Sequence, residues 1–287
     1  MREIKTSSGK SISFVSETTP IELTYVIGVF SQKESSGKTR FCVTGPSATG
    51  IIPTDRKTRK VVEKVAAEFG KVLGKDIIIP TKDFVRQASP MELAGMDEKV
   101  SIKHYRDYVE TVKELAYALY EEKSVKAVCI DNAGDLYQSI EYANYGRQGY
   151  KVLSIGDGKI RDKSKAQQEF WDFINSLSSK PIILTHRGKD EYINNVNTHR
   201  STWDGYKYLG NLCDVIVELE RNRKYQEGSD QDDRSWQFGA KFHSCNLQEQ
   251  LQGPMGHHNE TGLRDEMISL SSIASFAFPS ADPDLFI

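Results

Sequence analysis

Apolar and polar positions along the chain fall into alternating rhythms. "SISFV" (11–15) alternates and predicts a strand. "IELTYVIGVF" (21–30) follows the turn-like "SETTP" and predicts a second strand, apolar enough to be central. A short helix through about Thr44 is expected next, broken by "GPSATG". "IIPTD" (51–55) reads as a strand end, because Pro53 has no N–H to give a mid-ladder position. "RKTRKVVEKVAAEFGKVLG" (56–74) sets Val61, Val62, Val65, Ala66 and Phe69 at helical spacing, with Gly70 or Gly74 as the cap. "KDIIIP" (75–80) predicts a short buried strand. "HYRDYVETVKELAYALYEEK" (104–123) predicts an amphipathic helix with Tyr108, Val112, Leu115 and Leu119 on one stripe. "VKAVCID" (125–131) is an apolar strand ending in aspartate. A long glycine- and tyrosine-rich segment (132–165), a helix (165–179), a buried strand "KPIILTH" (180–186) and a polar loop (187–208) follow. "CDVIVELERN" (213–222) and "SWQFGAKFHSCNLQ" (235–248) read as paired strands, and the pattern weakens after Leu251.

Strands that alternate with helices imply an α/β fold. The sheet is expected to be mostly parallel with helices on both faces, and antiparallel at the C-terminal side. The implied organisation is a strand extension over 1–20, a core over 21–250 and a partly irregular extension over 251–287. Ligands of such sheets bind outside the carboxyl ends of the strands. Chemistry is therefore expected just after Phe30 and at Asp55, Asp131 and His186.

Composition changes this picture little. Of 287 residues, 38% are hydrophobic and 27% charged, as in a globular protein. No apolar run approaches the roughly 18 residues of a membrane helix. The start, "MREIKTSSGKSISF", has no signal-peptide-like apolar stretch, so cytoplasmic residence without membrane attachment is the expectation. Cys42, Cys129, Cys213 and Cys245 form no CxxC pair and are expected to be reduced, mostly buried thiols. The net charge of −2 weighs against a general nucleic-acid coater, but leaves room for a local basic surface.

Each expected strand end carries a group suited to phosphate chemistry. "SQKESSGKTRF" (31–41) joins the "TYVIGVF" strand to a helix. Gly37 lets the backbone turn close to a phosphate, and the N–H groups from Ser36 to Thr39 open a helix, where an anion is favoured. Lys38 can reach outer phosphates and the Thr39 hydroxyl can ligate Mg²⁺. Gln32 stands where such loops carry a glycine. Asp131 can set a carboxylate beside Mg²⁺ and its waters. Asn132, not glutamate, follows it, so the residue that orients water comes from elsewhere: Asp55 first, Glu34 second. Thr185 and His186, closing another strand, are placed to sense a terminal phosphate.

These residues resemble a known family. "ESSGKT" (34–39) is similar to the phosphate loop of the RecA recombinases, and "AVCID" and the late strand pair resemble its later elements. The size and "PIILTHR" point toward small phage-type ATPases with a RecA core, some of which act in single-strand annealing and recombination. The resemblance implies ATP and Mg²⁺ as cofactors. Lys33, Glu34, Ser35, Ser36, Gly37, Lys38, Thr39 and Arg40 would form the nucleotide loop, Thr39 and Asp131 the metal site, and Asp55 the catalytic carboxylate. Lys241 would reach a neighbouring subunit's nucleotide in a head-to-tail assembly. It also implies single-stranded DNA on the segments after Asp131 and His186, through Arg147, Lys151, Arg161, Lys163, Arg187, Lys189 and Arg200, with rings interleaved for stacking.

Two other readings stay open. Lys33 lies five residues before Lys38, a spacing that resembles ParA/MinD ATPases, which dimerise over ATP. Gln32 and the short helix also fit a degenerate site in a binding module.

Overall fold

A computed structural model describes residues 2–5, 11–14, 25–32, 37–45, 48–54, 56–80, 95–153, 160–177, 180–193, 196–223 and 236–245. Ten strands and six helices are described within them. β1 (Arg2–Lys5) and β2 (Ser11–Phe14) pair antiparallel as a separate two-stranded sheet. The first of these strands carries no alternation strong enough to have been expected.

The main sheet runs β10–β9–β3–β7–β6–β4–β5, with β8 on the extension of β7. Its strands are β3 (Val26–Ser31), β4 (Thr49–Pro53), β5 (Ile77–Ile78), β6 (Ala127–Asp131), β7 (Ile182–Ile193), β8 (Val196–Trp203), β9 (Val215–Arg223) and β10 (Trp236–Cys245). From β9 to β5 every pairing is parallel; β10 on β9 and β8 on β7 are antiparallel. The mostly parallel α/β architecture is thus the one the alternating pattern implies.

Alternate strand residues feed two cores. Val128 and Ile130 of β6 face one and Cys129 the other. On the first face lie α3 (Glu98–Glu121), α4 (Ala133–Leu153), α5 (Ile160–Ser176) and α6 (Leu209–Leu212); on the second lie α1 (Lys38–Val43) and α2 (Arg56–Glu68). The strands are apolar on both sides because both faces are covered. Pro53 occupies the last position of β4, opposite Asp131, where its missing N–H breaks no ladder.

Several expected boundaries change. The segment after Asp131 is not a loop: α4 continues through Leu153, with a non-helical break at Gly146. Leu136, Ile140 and Ala143 recur at helical spacing and are buried, Tyr137 is 4% exposed and belongs to the core, and Tyr142 and Tyr145 are half-buried against it. The polar segment after His186 is likewise ordered, as the hairpin β7–β8. On α2, Val62, Val65 and Ala66 are buried, whereas Val61 and Phe69 are exposed.

Candidate phosphate and metal site

The site grows from Asp131, the last residue of a fully buried strand. Its carboxylate is 4% exposed and therefore needs partners. It accepts from the Thr39 hydroxyl at 2.7 Å and from the Thr185 hydroxyl at 2.5 Å. Parallel pairing explains the meeting: Ile130 lies opposite Leu184 and Val29 opposite Thr185, so β7 carries Thr185 between the strand of the loop and the strand of the carboxylate. Asp131 Oδ2 and Thr39 Oγ1 form a hard-oxygen pair. Neighbouring ligands of an octahedral Mg²⁺ at about 2.1 Å stand about 3 Å apart, so the two residues fit that ion.

Gly37 begins α1 at φ 98°, a left-handed conformation that side chains resist, and its carbonyl accepts the Phe41 N–H at 2.8 Å. That turn places Lys38 and Thr39 at the carboxyl edge. The Lys38 charge reaches two buried groups, His186 and Cys42, as a minor influence beside burial. His186 is fully buried; burial pushes its pKa down to about 4, so the ring is neutral at pH 7. Its Nδ1 lies 3.2 Å from the Asp204 carbonyl, and Nε2 has no hydrogen-bond partner among the described residues.

Two supports were not read from the sequence. Thr54 is 1% exposed. Its N–H donates to the Asp131 carbonyl at 2.8 Å, its hydroxyl accepts the Asn132 N–H at 2.6 Å, and the Tyr108 hydroxyl donates to its carbonyl at 3.3 Å. The end of β4 is thereby sewn to the end of β6. A polar residue just past Pro53, at a strand's carboxyl end, was the available signal. The second support is Gln32, whose amide donates to Asp190 Oδ1 at 2.9 Å and ties the start of the loop to the hairpin.

Under α1, the sulfurs of Cys42 and Cys129 lie 2.7 Å apart. Burial raises both thiols, so they stay protonated. Cys42, Cys129 and Cys213 are buried thiols outside any disulfide, as expected.

The remaining expected residues divide in two. Arg40 pairs with Glu68 at 3.3 Å and stacks over Phe69 at 4.8 Å, toward α2. Arg187 pairs with Asp135 at 3.2 Å and Lys189 with Asp204 at 2.9 Å, all at the mouth beyond Asp131 and His186. Lys33, Glu34, Ser35, Ser36 and Asp55 lie outside the described residues, as do the side chains of Arg147, Lys151, Arg161, Lys163, Arg200 and Lys241.

No protein-family model matches the chain, and no curated protein matches it in sequence. Solved structures do resemble it. A prototypical ATPase from the type III secretion system of pathogenic bacteria overlays 68% of this chain at 12% identity, with a TM-score of 0.41. The chain spans only 51% of that ATPase. The RadB recombinase overlays 76% of this chain and 80% of its own length at 10% identity, with a TM-score of 0.37. The fold described above stands on its own strand order and pairing. No described helix is long and apolar enough to cross a membrane.

Proposed function

We propose that the chain is a RecA-like ATPase that binds ATP and Mg²⁺ at the Gly37–Thr39 turn and acts on single-stranded DNA. One observation carries the reading: Thr39 and Asp131, distant in sequence, meet at 2.7 Å at the carboxyl edge of a parallel sheet. Thr39 and Asp131 would hold Mg²⁺, which when bound supplies positive charge to the phosphates. Lys38 neutralises the outer phosphates from the other side. Thr185 keeps one Asp131 oxygen engaged, so the other points at Thr39. In neutral His186 the Nδ1–H faces the Asp204 carbonyl, so buried Nε2 is an acceptor, able to take a hydrogen bond from a protonated terminal phosphate that reaches it. Asp55, the residue after clamped Thr54, is assigned to orient the attacking water, with Glu34 as second choice. Arg187 would exchange half-buried Asp135, and Lys189 exposed Asp204, for strand phosphates, and the second exchange costs little at a solvated surface. A head-to-tail assembly, completed by Lys241 of a neighbour, and the phage-type annealing role belong to the same reading.

The test is an ATPase assay with and without single-stranded DNA, repeated on Lys38→Ala. Hydrolysis stimulated by the strand and abolished in the folded variant is the expected result. Unchanged turnover in Lys38→Ala overturns the assignment. ATP-dependent dimers without DNA stimulation favour the ParA/MinD-like alternative, and no nucleotide binding at all favours the degenerate module.

A further inference from the structure

Beyond Asp131 and His186 the chain lines a second cleft, of about 600 Å³. That volume lies within the roughly 300–1,000 Å³ typical of small-molecule sites. Asn132 and Arg187, which directly follow Asp131 and His186, form part of its wall, so it opens beside the first site.

Its charges balance. Asp135, Glu141 and Asp204 stand against Arg187, Lys189 and Lys207. Two of the cations already face carboxylates, Arg187 on Asp135 and Lys189 on Asp204. The cleft as a whole therefore holds no bias toward an anion. Further in, the Glu141 residue is 7% exposed and its carboxylate accepts the Tyr137 hydroxyl, which burial and the Glu141 charge hold well above the usual phenol range; Gln167 bonds the same hydroxyl, and the carboxylate keeps lone pairs for further donors. Gln138 and Gln167 add amides that both donate and accept hydrogen bonds. At the mouth Tyr208 is 42% exposed, with the Lys207 ammonium 5.5 Å from its ring centroid.

An electrically balanced cavity with an acceptor-only carboxylate, paired amides and an exposed ring suits a neutral flat heterocycle that carries several N–H donors. Guanine offers adjacent N1–H and N2–H₂ donors to a single carboxylate, whereas thymine offers one N–H. We propose that this cleft takes up one nucleobase, guanine preferred, either unstacked from a strand or as part of a free nucleoside. In the strand case the inference rests on the single-stranded DNA reading above and adds base preference to it. The base enters toward Glu141 and stacks at Tyr208, while its phosphates stay outside with Lys189 and Lys207.

The experiment measures binding by fluorescence anisotropy, with a non-hydrolysable ATP analogue present to occupy the first site. The probes are a labelled thymidine oligomer of about 15 nucleotides, a length near one strand-binding site, and the same oligomer with one central dG, dA or dC. Free deoxyguanosine is the unlabelled competitor. The dG probe is expected to bind about tenfold tighter than the all-thymidine one, the discrimination of one good bidentate pair. Glu141→Gln and, independently, the surface change Tyr208→Ala should each bring it back to the thymidine level. Competition by deoxyguanosine supports the cleft and identifies the base as sufficient. Deoxyguanosine binding with no oligomer binding, measured by calorimetry, supports the cleft while removing the strand. Equal binding of all four oligomers, unmoved by either variant, overturns the inference and leaves the strand reading standing. Binding of neither oligomer nor nucleoside overturns both.

Discussion

His186 is the residue at which burial weighs most in the chemistry. Folded, its pKa is about 4; unfolded, an ordinary histidine titrates near about 6.5. Between those values the unfolded chain binds the proton and the folded one does not. The stability of keeping the ring neutral is therefore fully present above about pH 6.5 and is lost as pH falls toward about 4, up to about 3 kcal/mol in all. Melting temperature should fall across that window more steeply in the native chain than in His186→Gln. Parallel curves would mean that the ring is solvated. The residues of the candidate site were readable in advance to different degrees. Lys38, Thr39 and Asp131 were legible because a glycine–lysine–threonine turn and a strand-end acid each need a particular place in the fold. Thr54 was not, since its role lies in backbone groups of β6 that no local pattern announces. Gln32 looked like a defect of the loop, yet its amide reaches Asp190, a contact made across 158 residues of sequence.

Among the elements, the hairpin β7–β8 shows most clearly what packing adds to pattern. It leaves the sheet after His186, and apart from Trp203, which packs on Phe30 at the edge of the core, its described side chains beyond Arg187 are exposed or half-buried and lack the alternation that marks a half-buried strand. Tyr192, Ile193 and Val196 are exposed near its turn. α4 was missed for a different reason: its glycines and tyrosines outweighed a periodic Leu136–Ile140–Ala143 stripe. The amphipathic α3 and the buried β6 and β9, whose signals are long or strongly apolar, were recovered. The hairpin's root passes close to the phosphate loop. A β-carbon on Gly188 would stand 2.6 Å from the Gln32 nitrogen and 2.7 Å from the Ser31 carbonyl carbon, both backbone atoms. Gly188→Ala must therefore displace one chain from the other. Overpacking of this kind costs about 1–3 kcal/mol. We expect a lower melting temperature together with several-fold weaker ATP binding, read by calorimetry. A variant that melts lower but binds ATP as before would uncouple the hairpin from the loop.

For the whole molecule, a net charge of −2 means that affinity for a nucleic acid must come from placement rather than from total charge. Arg187, Lys189 and Lys207 supply three cations at one mouth. If the proposed single-stranded DNA binding engages all three, the slope of log affinity against log salt is expected to be about −2. A flat response in a salt titration would remove these cations from the interface. The sheet also carries a consequence for how the site comes into being. Asp131 receives its two hydroxyls from partners 92 and 54 residues away in the chain. Only a fragment that runs from Thr39 to Thr185 holds all three, and the Thr39 contact cannot close before β3 and β6 are both docked on β7. The site is complete only once the centre of the sheet is assembled, and an ion or nucleotide seated there would act as a rivet across it, shielding its innermost amides from hydrogen exchange.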